Sequence, residues 1–499
     1  MRAQAGGCLV GIDIGTGSCK VAAYDLSGRV VAEASQQYPM ARPHAGWAEQ
    51  DAMDYWTAAV ACLRGVQAGV AARGGRVLGI GTCGQTPTIV LVGADGSPVR
   101  PAITWQDTRA LDESAELRSR LSADDVLRTL GMAVPLEPTY PPAQLLWLSR
   151  HDPDAVRAAA VILQPKDFVN LKLTGEAASD PWDSKGVVNA KTGLPDPAYL
   201  ALLGIPSALA PRCLGAAEVL GGVTPEVSTL VDVPEGVPVT TGWSDALCSV
   251  LGSGSLRDPA AAFDVSGTSE IVGVLATSRP PARSRLLVAP FLEPGWELVY
   301  GPTQTSGDAV RWFGDLTIGG AGRGVSASRV ERLAGRAAGG SRAVFVPYLL
   351  GERAPIWNTL ARGAFLGLSR ADGTAELARA VLEGVAFSVR HVLDTAVEIT
   401  GKAVSQVYLS GGGSSGGLAV QVRADVLGVP VTVPTRREAA TLGAAVLAGL
   451  AVGAFASPAQ AVAAMVGIER VVLPRPGEAL ALQEKYEAYR TYADSMTPH

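Results

Sequence analysis

Histidine and cysteine are scarce in this chain of 499 residues, which holds four histidines and six cysteines. No two cysteines stand in a Cys-x-x-Cys spacing, so the usual ligand sets of a structural zinc site are missing. Scattered single thiols in a large chain are typical of a reducing compartment. We therefore expect the protein to work in the cytoplasm, with its thiols free.

Long apolar runs and blocks of like charge are also missing. The longest apolar stretch, residues 439–456, consists largely of Ala and Gly, and burying it in lipid would gain little free energy. It instead predicts a core helix packed closely through small residues. No apolar run of signal-peptide length precedes the first strand. With a net charge of −5 and no run of Lys or Arg, the chain is expected to bind neither nucleic acid nor a membrane.

Core-forming residues are abundant, since 47% of the chain is hydrophobic and only 18% is charged. This composition is globular, and the length suggests two domains. Strand patterns alternate with helix patterns, which predicts mixed α/β domains. The segments that begin at Cys8 and at Ala260 both read as a strand, a Gly-Thr turn and a second strand. This similarity predicts two related domains, residues 1–252 and 253–499.

The two hairpin turns are candidate phosphate sites. The first runs from Asp13 to Ser18 and the second contains Gly267 and Thr268. Glycine lets backbone N–H groups approach an anion, hydroxyls add donors, and an Asp beside such a turn can hold Mg²⁺ directly or through water. Two such turns could face one nucleotide across a cleft. The alternative is a pair of ordinary turns in duplicated domains, and the turns alone do not decide between the two.

Asp245 follows a strand and opens a predicted helix. On local sequence alone its usual role would be to cap that helix. The functional alternative is a general base, because phosphoryl transfer needs one carboxylate to accept the proton of the attacking hydroxyl. Three consecutive glycines, from Gly411 to Gly413, separate another strand from a helix. They would let a flat base lie against the backbone, or they form only a flexible loop.

These motifs belong to a longer ordered series. The chain resembles the FGGY family of carbohydrate kinases along nearly its whole length. The matching stretches are GIDIGTGS, GWAEQDAMDYW, GIGTCGQT, RPAITWQDTRA, LLWLSRHDPD, LQPKDFVNLKLTGEAASD, the Asp245 segment, the Gly267 turn, GERAPIWN, RGAFLGLS and SGGGSS. Each motif is weak alone, and their order and spacing make the resemblance specific. Among family members the chain is most similar to xylulokinase-like enzymes.

The resemblance implies the actin/Hsp70/hexokinase-type fold, with two duplicated ribonuclease H-like ATPase domains flanking a deep catalytic cleft. It implies an ATP- and Mg²⁺-dependent kinase acting on a hydroxyl of a small sugar, a ketopentose such as xylulose. The first domain would bind the sugar and carry the base, and the second would bind the nucleotide. The resemblance also suggests a homodimer.

Site residues carry over position by position. Asp13 matches the Asp of the first phosphate hairpin near Mg²⁺, and Asp245 matches the catalytic base. The substrate-binding positions are Gln85, Thr86, Trp105, Asp107 and Asp245. The ATP-binding positions are Gly15, Thr16, Ser18, Gly267, Thr268, Gly412, Gly413 and Ser414. Trp47, Glu49 and Gln50 lie in another family segment and are interpreted mainly as pinning a loop.

The chain departs from the family pattern at the sugar-reading positions. Xylulokinases typically carry Met-His, and glycerol kinases Arg-Glu, where this chain has Thr86-Pro87. Pro87 supplies neither an N–H nor a side-chain donor, so that wall offers fewer polar groups. The acceptor therefore stays open among xylulose, ribulose, erythritol and glycerol. A non-catalytic nucleotide-binding regulator on the same fold is the alternative from another class.

Overall fold

A computed structural model describes residues 6–277, 285–293, 295–319, 326–339 and 341–497. The chain forms two compact units. The first comprises the described residues of Met1–Gly252, Leu292–Pro294 and Ala439–Val466, and the second those of Ser253–Phe291, Gly295–Glu438 and Gly467–His499. Both units combine a mixed sheet with helices, so the predicted two-domain α/β class is confirmed.

The first half of the chain supplies the strands of the first unit and most of its helices. Its strands are β1 (Gly7–Ile14), β2 (Ser18–Asp25), β3 (Val30–Gln37), β4 (Glu49–Gln50), β5 (Arg76–Gly84), β6 (Val90–Val92), β7 (Ala102–Ile103), β8 (Val161–Leu163), β9 (Ala178–Ser179), β10 (Arg212–Cys213), β11 (Val219–Gly222), β12 (Pro238–Thr240) and β13 (Trp243–Ser244). Its helices are α1 (Ala52–Ala71), α2 (Leu111–Arg120), α3 (Ala123–Leu130), α4 (Pro141–His151), α5 (Pro153–Ala158), α6 (Pro165–Thr174), α7 (Pro197–Leu202), α8 (Pro225–Val231) and α9 (Asp245–Ser253), with 3₁₀ turns at Ser207–Leu209 and Ser255–Arg257.

The second half continues the alternation. Its strands are β14 (Ala261–Ser266), β15 (Glu270–Ala276), β16 (Leu287–Pro290), β17 (Glu297–Pro302), β18 (Val344–Val346), β19 (Ala364–Leu366), β20 (Gln406–Gly411), β21 (Val431–Pro434) and β22 (Ile468–Val472). Its helices are α10 (Gly307–Gly314), α11 (Ala327–Ala334), α12 (Thr374–Thr400), α13 (Gly417–Leu427), α14 (Ala440–Ala451), α15 (Pro458–Met465) and α16 (Pro476–Ser495), with a π turn at Asp315–Gly319 and a 3₁₀ turn at Gly412–Ser415.

Three parallel strand ends meet at one edge of the first sheet. Its strand order is β11-β12-β5-β1-β2-β3, with β13 also paired to β5. Gly84 at the end of β5 lies between Ile14 of β1 on one side and Ser244 of β13 on the other. Asp13 and Asp245 therefore flank the carboxyl end of β5, the edge at which open α/β sheets bind ligands.

Helix α14 completes the first unit and packs directly on the backbone of its sheet. A side chain at Gly81 of β5 would place its Cβ 1.8 Å from the carbonyl oxygen of Ala444, and one at Gly11 of β1 would lie equally close to that of Thr441. The Tyr24 hydroxyl lies 2.7 Å from Thr441 Oγ1. The predicted small-residue core helix is confirmed, and no helix in the described ranges is long and apolar enough to cross a membrane.

One late segment of the chain packs with the first unit, while the domain boundary expected from the sequence stays a prediction. The boundary at residues 252 and 253 assigned residues 439–466 to the second domain, whereas the structure packs Ala439–Val466 into the first unit. The physical reason is that the glycines of β1 and β5 have no side chains, so the backbone of α14, a helix of small residues, packs directly against the sheet.

The sheet of the second unit repeats the hairpin arrangement. Its order is β16-β17-β15-β14-β20-β21-β22. Strand β14 pairs antiparallel with β15 and parallel with β20, and this register sets Ser266 beside Gly411. The turn that follows β14 and the glycine loop that follows β20 are therefore neighbours at one edge of the sheet.

Candidate active site

The carbonyl groups of the first hairpin turn accept hydrogen bonds from neighbouring residues. Tyr38 donates its hydroxyl to Gly15 O at 2.5 Å and its N–H to Gly17 O at 3.2 Å, and Gln50 Nε2 donates to Thr16 O at 2.8 Å. The amides of Thr16 and Gly17 donate no hydrogen bond to any described residue. This arrangement leaves backbone N–H groups available to an anion, as a phosphate-binding turn requires.

Other predicted residues of the first turn have supporting contacts. Ser18 begins β2, and its carbonyl accepts the Gly15 N–H at 3.0 Å. Trp105 is 39% exposed, and its indole N–H donates to Thr16 Oγ1 at 3.0 Å. Asp13 lies at the end of β1, where the Cys83 thiol is 3.6 Å from its Oδ1. The turn, the indole and the Asp13 carboxylate thus lie together.

Asp245 is the first residue of α9, directly after β13. Its Oδ1 accepts the N–H of Ala246 at 2.6 Å, while the capping bond from Leu247 N–H goes to Ser244 Oγ at 3.3 Å. Burial raises the pKa of Asp245 to about 6, against the lowering effects of the Ala246 hydrogen bond and of Lys185. A carboxylate with such a pKa is ionised at neutral pH and remains basic enough to accept a proton.

A buried charge cluster supports the strand ends next to Asp245. The Lys166 ammonium lies 2.6 Å from Asp167, 3.0 Å from Asp180 and 3.5 Å from Asp183, and it also donates to Thr241 O at 3.2 Å. Burial and the neighbouring Asp180 raise the pKa of Asp183 well above its ordinary value. Because Thr241 precedes β13, the cluster fixes the segment that presents Asp245.

Two side chains that were predicted to bind the sugar form hydrogen bonds within the protein. Asp107 is fully buried and accepts from Ala48 N at 2.6 Å and from the Arg109 guanidinium at 2.7 and 2.9 Å. Gln85 is 2% exposed and donates to Gln50 Oε1 at 2.8 Å. These contacts favour a role in holding the neighbouring loops rather than in contacting a ligand.

Thr86, in contrast, borders a polar wall. Its hydroxyl accepts from Lys185 Nζ at 3.1 Å and lies 3.4 Å from Gln164 Oε1, which also accepts the Thr88 N–H at 2.8 Å. Thr86 follows the end of β5, which lies between β1, the strand of Asp13, and β13, the strand that precedes Asp245. The structure therefore brings Thr86, Asp13 and Asp245 to one sheet edge.

A pocket of about 520 Å³ opens on the second hairpin turn. In this turn too, a carbonyl group accepts hydrogen bonds from nearby residues. Thr268 O accepts from Ser306 N at 3.0 Å and from Asp308 N at 3.2 Å. The pocket lining includes Gly267, Thr268, Arg311, Glu331, Gly412, Gly413, Ser415 and Arg423. The second unit thus combines hydrogen-bond donors that suit a phosphate with a flat surface formed by glycines.

One nucleotide-binding residue predicted in the second unit does not line this pocket. Ser414 is fully buried, and its hydroxyl donates to Gly411 O at 2.7 Å. In the 3₁₀ turn that follows β20, Ser414 packs inward and Ser415 lines the pocket in its place. Sequence position alone could not tell the inward hydroxyl from the outward one.

Sequence reasoning missed two buried cations. Arg423 on α13 donates to Asp264 Oδ2 at 3.0 Å and contacts Glu270, so it joins β14 and β15 beneath the pocket. Lys185 lies near Asp245 and lowers its pKa through space. Neither residue stands in a recognisable motif, and their roles depend on contacts between distant segments.

No group of three or more metal-ligating side chains is found among the described residues. Asp13 places a carboxylate next to a phosphate-type turn. That donor set fits Mg²⁺, which is commonly held by one or two carboxylates together with substrate phosphates and water.

Relatives and solved structures cover almost the whole chain. The chain is 29% identical to xylulose kinase from Escherichia coli (strain K12), over 98% of this chain and 99% of that protein. It is 31% identical to glycerol kinase 2 from Streptomyces avermitilis, over 89% of this chain and 88% of that protein. The crystal structure of xylulose kinase from Rhodospirillum rubrum superposes with a TM-score of 0.88 at 30% identity, covering 98% of this chain and 99% of that one.

Two family domain models match the chain one after the other. The N-terminal domain of the FGGY family of carbohydrate kinases matches residues 8–252, and the C-terminal domain of that family matches residues 263–452. Together with the shared fold and the sheet-edge geometry, these matches establish that the chain belongs to the FGGY family of carbohydrate kinases.

Proposed function

We propose that this carbohydrate kinase transfers the terminal phosphoryl group of ATP to a hydroxyl of a small sugar, a ketopentose such as xylulose, with Asp245 as the base. The observation that carries the proposal is the position of Asp245 at the carboxyl end of β13, beside β5 and Asp13. Its pKa, raised by burial to about 6, suits proton transfer at neutral pH.

In the proposed step the acceptor hydroxyl gives its proton to the Asp245 carboxylate. The hydroxyl oxygen forms a bond to the γ-phosphorus, the bond from that phosphorus to the β–γ bridging oxygen breaks, and ADP leaves with the electron pair. Because Asp245 Oδ1 already accepts the Ala246 N–H, we assign the proton to Oδ2. The remaining contribution of the protein is positioning and charge neutralisation.

The nucleotide would bind in the pocket of the second unit. Gly267 and Thr268 would supply donors to its phosphates, and Gly412 and Gly413 would form a flat surface for its base. Gly15, Thr16 and Ser18 would contact the transferred phosphoryl group through the first turn. Asp13 would hold Mg²⁺, which when bound neutralises charge on the phosphates.

The identity of the acceptor is the finer part of the proposal. Both xylulose kinases and glycerol kinases are among the relatives, and the chain has Thr86-Pro87 at a sugar-reading wall. Xylulose is our first choice, with ribulose, erythritol and glycerol as alternatives. We propose Trp105 and Thr86 as direct sugar contacts, and Asp107 and Gln85 as residues that hold their loops. The homodimer and the cytoplasmic location stay predictions.

The test is Asp245→Asn, which keeps the side-chain shape and removes the base. We expect acceptor-dependent ADP release to fall by about 10²- to 10⁴-fold, with nucleotide binding and thermal stability maintained. The matched control is Asp232→Asn at the end of α8, an exposed residue with a left-handed backbone that Asn tolerates. The control should retain wild-type activity.

The wild-type protein is assayed against pentuloses, hexuloses and polyols by coupled ADP release. Stimulation by xylulose or one of the named alternatives supports the proposal. Near-normal turnover by the Asn variant at position 245 would exclude Asp245 as the base. No stimulation by any acceptor would contradict the proposed kinase activity and favour the nucleotide-binding regulator.

A further inference from the structure

Lys185 places a buried ammonium group at the wall formed by Thr86. The residue is 7% exposed, and its Nζ donates to Thr86 Oγ1 at 3.1 Å and to Trp182 O at 3.2 Å. The ammonium lies 5.1 Å from the centre of the Trp182 ring. These contacts fix Nζ in place rather than leaving it to move with a flexible side chain.

Lys185 differs from its buried neighbour Lys166 in having an incomplete set of partners. Lys166 contacts three carboxylates, whereas Lys185 has no carboxylate within ion-pair distance among the described residues. An ammonium group has three donors, and Lys185 uses two on a hydroxyl and a carbonyl. Its third N–H has no acceptor in the described ranges, which is costly for a buried cation.

Three carboxyl groups lie within electrostatic range of the Lys185 ammonium. Asp183, Asp180 and Asp245 all act on Lys185 through space, and Lys185 in turn lowers the pKa of Asp245. The ammonium is therefore close to the candidate base without contacting it. An acceptor whose hydroxyl reaches Asp245 would bring further oxygens within reach of Lys185.

Lys185 also supplies what the wall otherwise lacks. Pro87 has no N–H, and the Thr86 hydroxyl is already engaged by Lys185 and lies near Gln164. A cationic donor arriving from a distant part of the chain replaces the donors that the two wall positions cannot provide. Lys185 therefore compensates for the donors lost where Thr86-Pro87 departs from the family pattern.

We propose that Lys185 is a specificity-determining residue that donates its third N–H to an oxygen of the acceptor next to the hydroxyl activated by Asp245. This inference rests on the proposed function and adds to it a residue that contacts the acceptor. Four carboxyl groups, Asp167, Asp180, Asp183 and Asp245, surround two ammonium groups, Lys166 and Lys185. With no positive excess to hold a carboxylate, the acceptor is a neutral ketose or polyol rather than a sugar acid.

The test compares Lys185→Met with the wild type and with the control Lys191→Met, an exposed residue in the following loop. We expect the KM for the best acceptor to rise about 10- to 100-fold, as for the loss of a hydrogen bond from a charged group. The KM for ATP should stay unchanged. Sugar acids should remain poor acceptors for the wild type.

A pH profile separates this role from a merely structural one. Removing the cation should move the acid limb of kcat/KM to higher pH, because Lys185 lowers the pKa of Asp245. Tyr38 and Cys83 also lie within electrostatic range of Asp245, and burial raises the pKa of each, so both stay neutral across the limb. Lys185→Arg keeps the charge and should leave the limb where it is.

Lys185→Gln serves as a second neutral variant if the Met variant does not fold. A folded neutral variant with unchanged acceptor KM and an unmoved acid limb would overturn the inference, while wild-type activity would still support the proposed function. Efficient phosphorylation of a sugar acid by the wild type would overturn the neutral-acceptor class. A wild type without any acceptor-dependent activity would refute the proposed function itself, and the role of Lys185 with it.

Discussion

At the scale of single residues, Asp245 gains its basicity from its position in the chain. It comes directly after β13, where Ser244 Oγ rather than Asp245 accepts the capping N–H of Leu247. Within the described part of the chain the carboxylate therefore has one backbone donor, Ala246, and a buried environment that opposes its charge. A carboxylate that accepted several helix N–H groups would have a lowered pKa and would be a poorer base.

The ionisation of Asp245 should make the activity depend on pH. Because the base must be ionised and burial raises its pKa to about 6, kcat/KM for the acceptor should rise with pH through about 6. Below that value it should fall about tenfold for each pH unit. Steady-state rates between pH 4.5 and 8 measure this. An acid limb near pH 4, typical of an exposed carboxylate, would contradict the assignment.

At the scale of elements, the second hairpin turn and the glycine loop each form one part of the candidate nucleotide pocket. Strand β14 delivers the turn and β20 delivers the loop, and their parallel pairing sets the two side by side. Arg423 from α13 contacts both Asp264 and Glu270 below the turn. The pocket floor is thus held by charged contacts among a helix and two strands.

The glycine loop gives a prediction for nucleotide binding. A Cβ at Gly412 would meet no atom within 4 Å, and Gly412 lines the pocket. Gly412→Val should therefore fold normally and weaken ADP binding by about tenfold or more, because the added methyl groups occupy the space proposed for the base. Calorimetric titration with ADP measures the change.

The control for this variant is Gly477→Val in the first turn of α16. A Cβ there also meets nothing within 4 Å, and the residue is not part of the pocket lining. The control should bind ADP as the wild type does. Equal ADP affinity for Gly412→Val and the wild type would place the nucleotide base elsewhere.

Elements were easier to predict from the sequence than contacts. The core helix expected within residues 439–456 is α14 (Ala440–Ala451), and both hairpins form where turn chemistry placed them. These features depend on local periodicity and turn residues. Lys185 and Arg423 escaped notice because their partners lie far away in the chain, and Ser414 was assigned to the pocket because a loop sequence does not say which hydroxyl points inward.

At the scale of the whole molecule, one buried histidine links stability to acidity. His391 on α12 is fully buried, and neither ring nitrogen has a hydrogen-bond partner among the described residues. Burial lowers the pKa of His391 to about 3, with Arg490 and Arg285 adding repulsion. The nearest carboxylate, Asp494, lies 3.9 Å from Nε2 and is half exposed.

The sign of the effect follows from proton binding. Between about pH 6.5, where an unfolded histidine titrates, and pH 3, the unfolded chain binds a proton that the folded chain excludes. Folding stability should therefore fall as the pH drops through this window, by up to about 1.4 kcal/mol for each pH unit. His391→Leu should remove this part of the acid sensitivity.

The measurement is the melting temperature of wild type and variant from pH 7 to pH 4.5. The wild type should lose more of its melting temperature than His391→Leu does, while the control His44→Leu, at an exposed position, should follow the wild type. Parallel pH dependence of the variant at position 391 and the wild type would contradict the effect.

The packing of α14 on the first sheet affects how the chain folds during its synthesis. Strands β1 and β5 leave the ribosome early, but the helix that covers their glycine backbone begins at Ala440, about 190 residues after Gly252. At 5–20 residues per second, this interval lasts about 10 to 40 s. During that time one face of the first sheet stays open to other chains or to chaperones, and a protein cut after residue 252 would never close it.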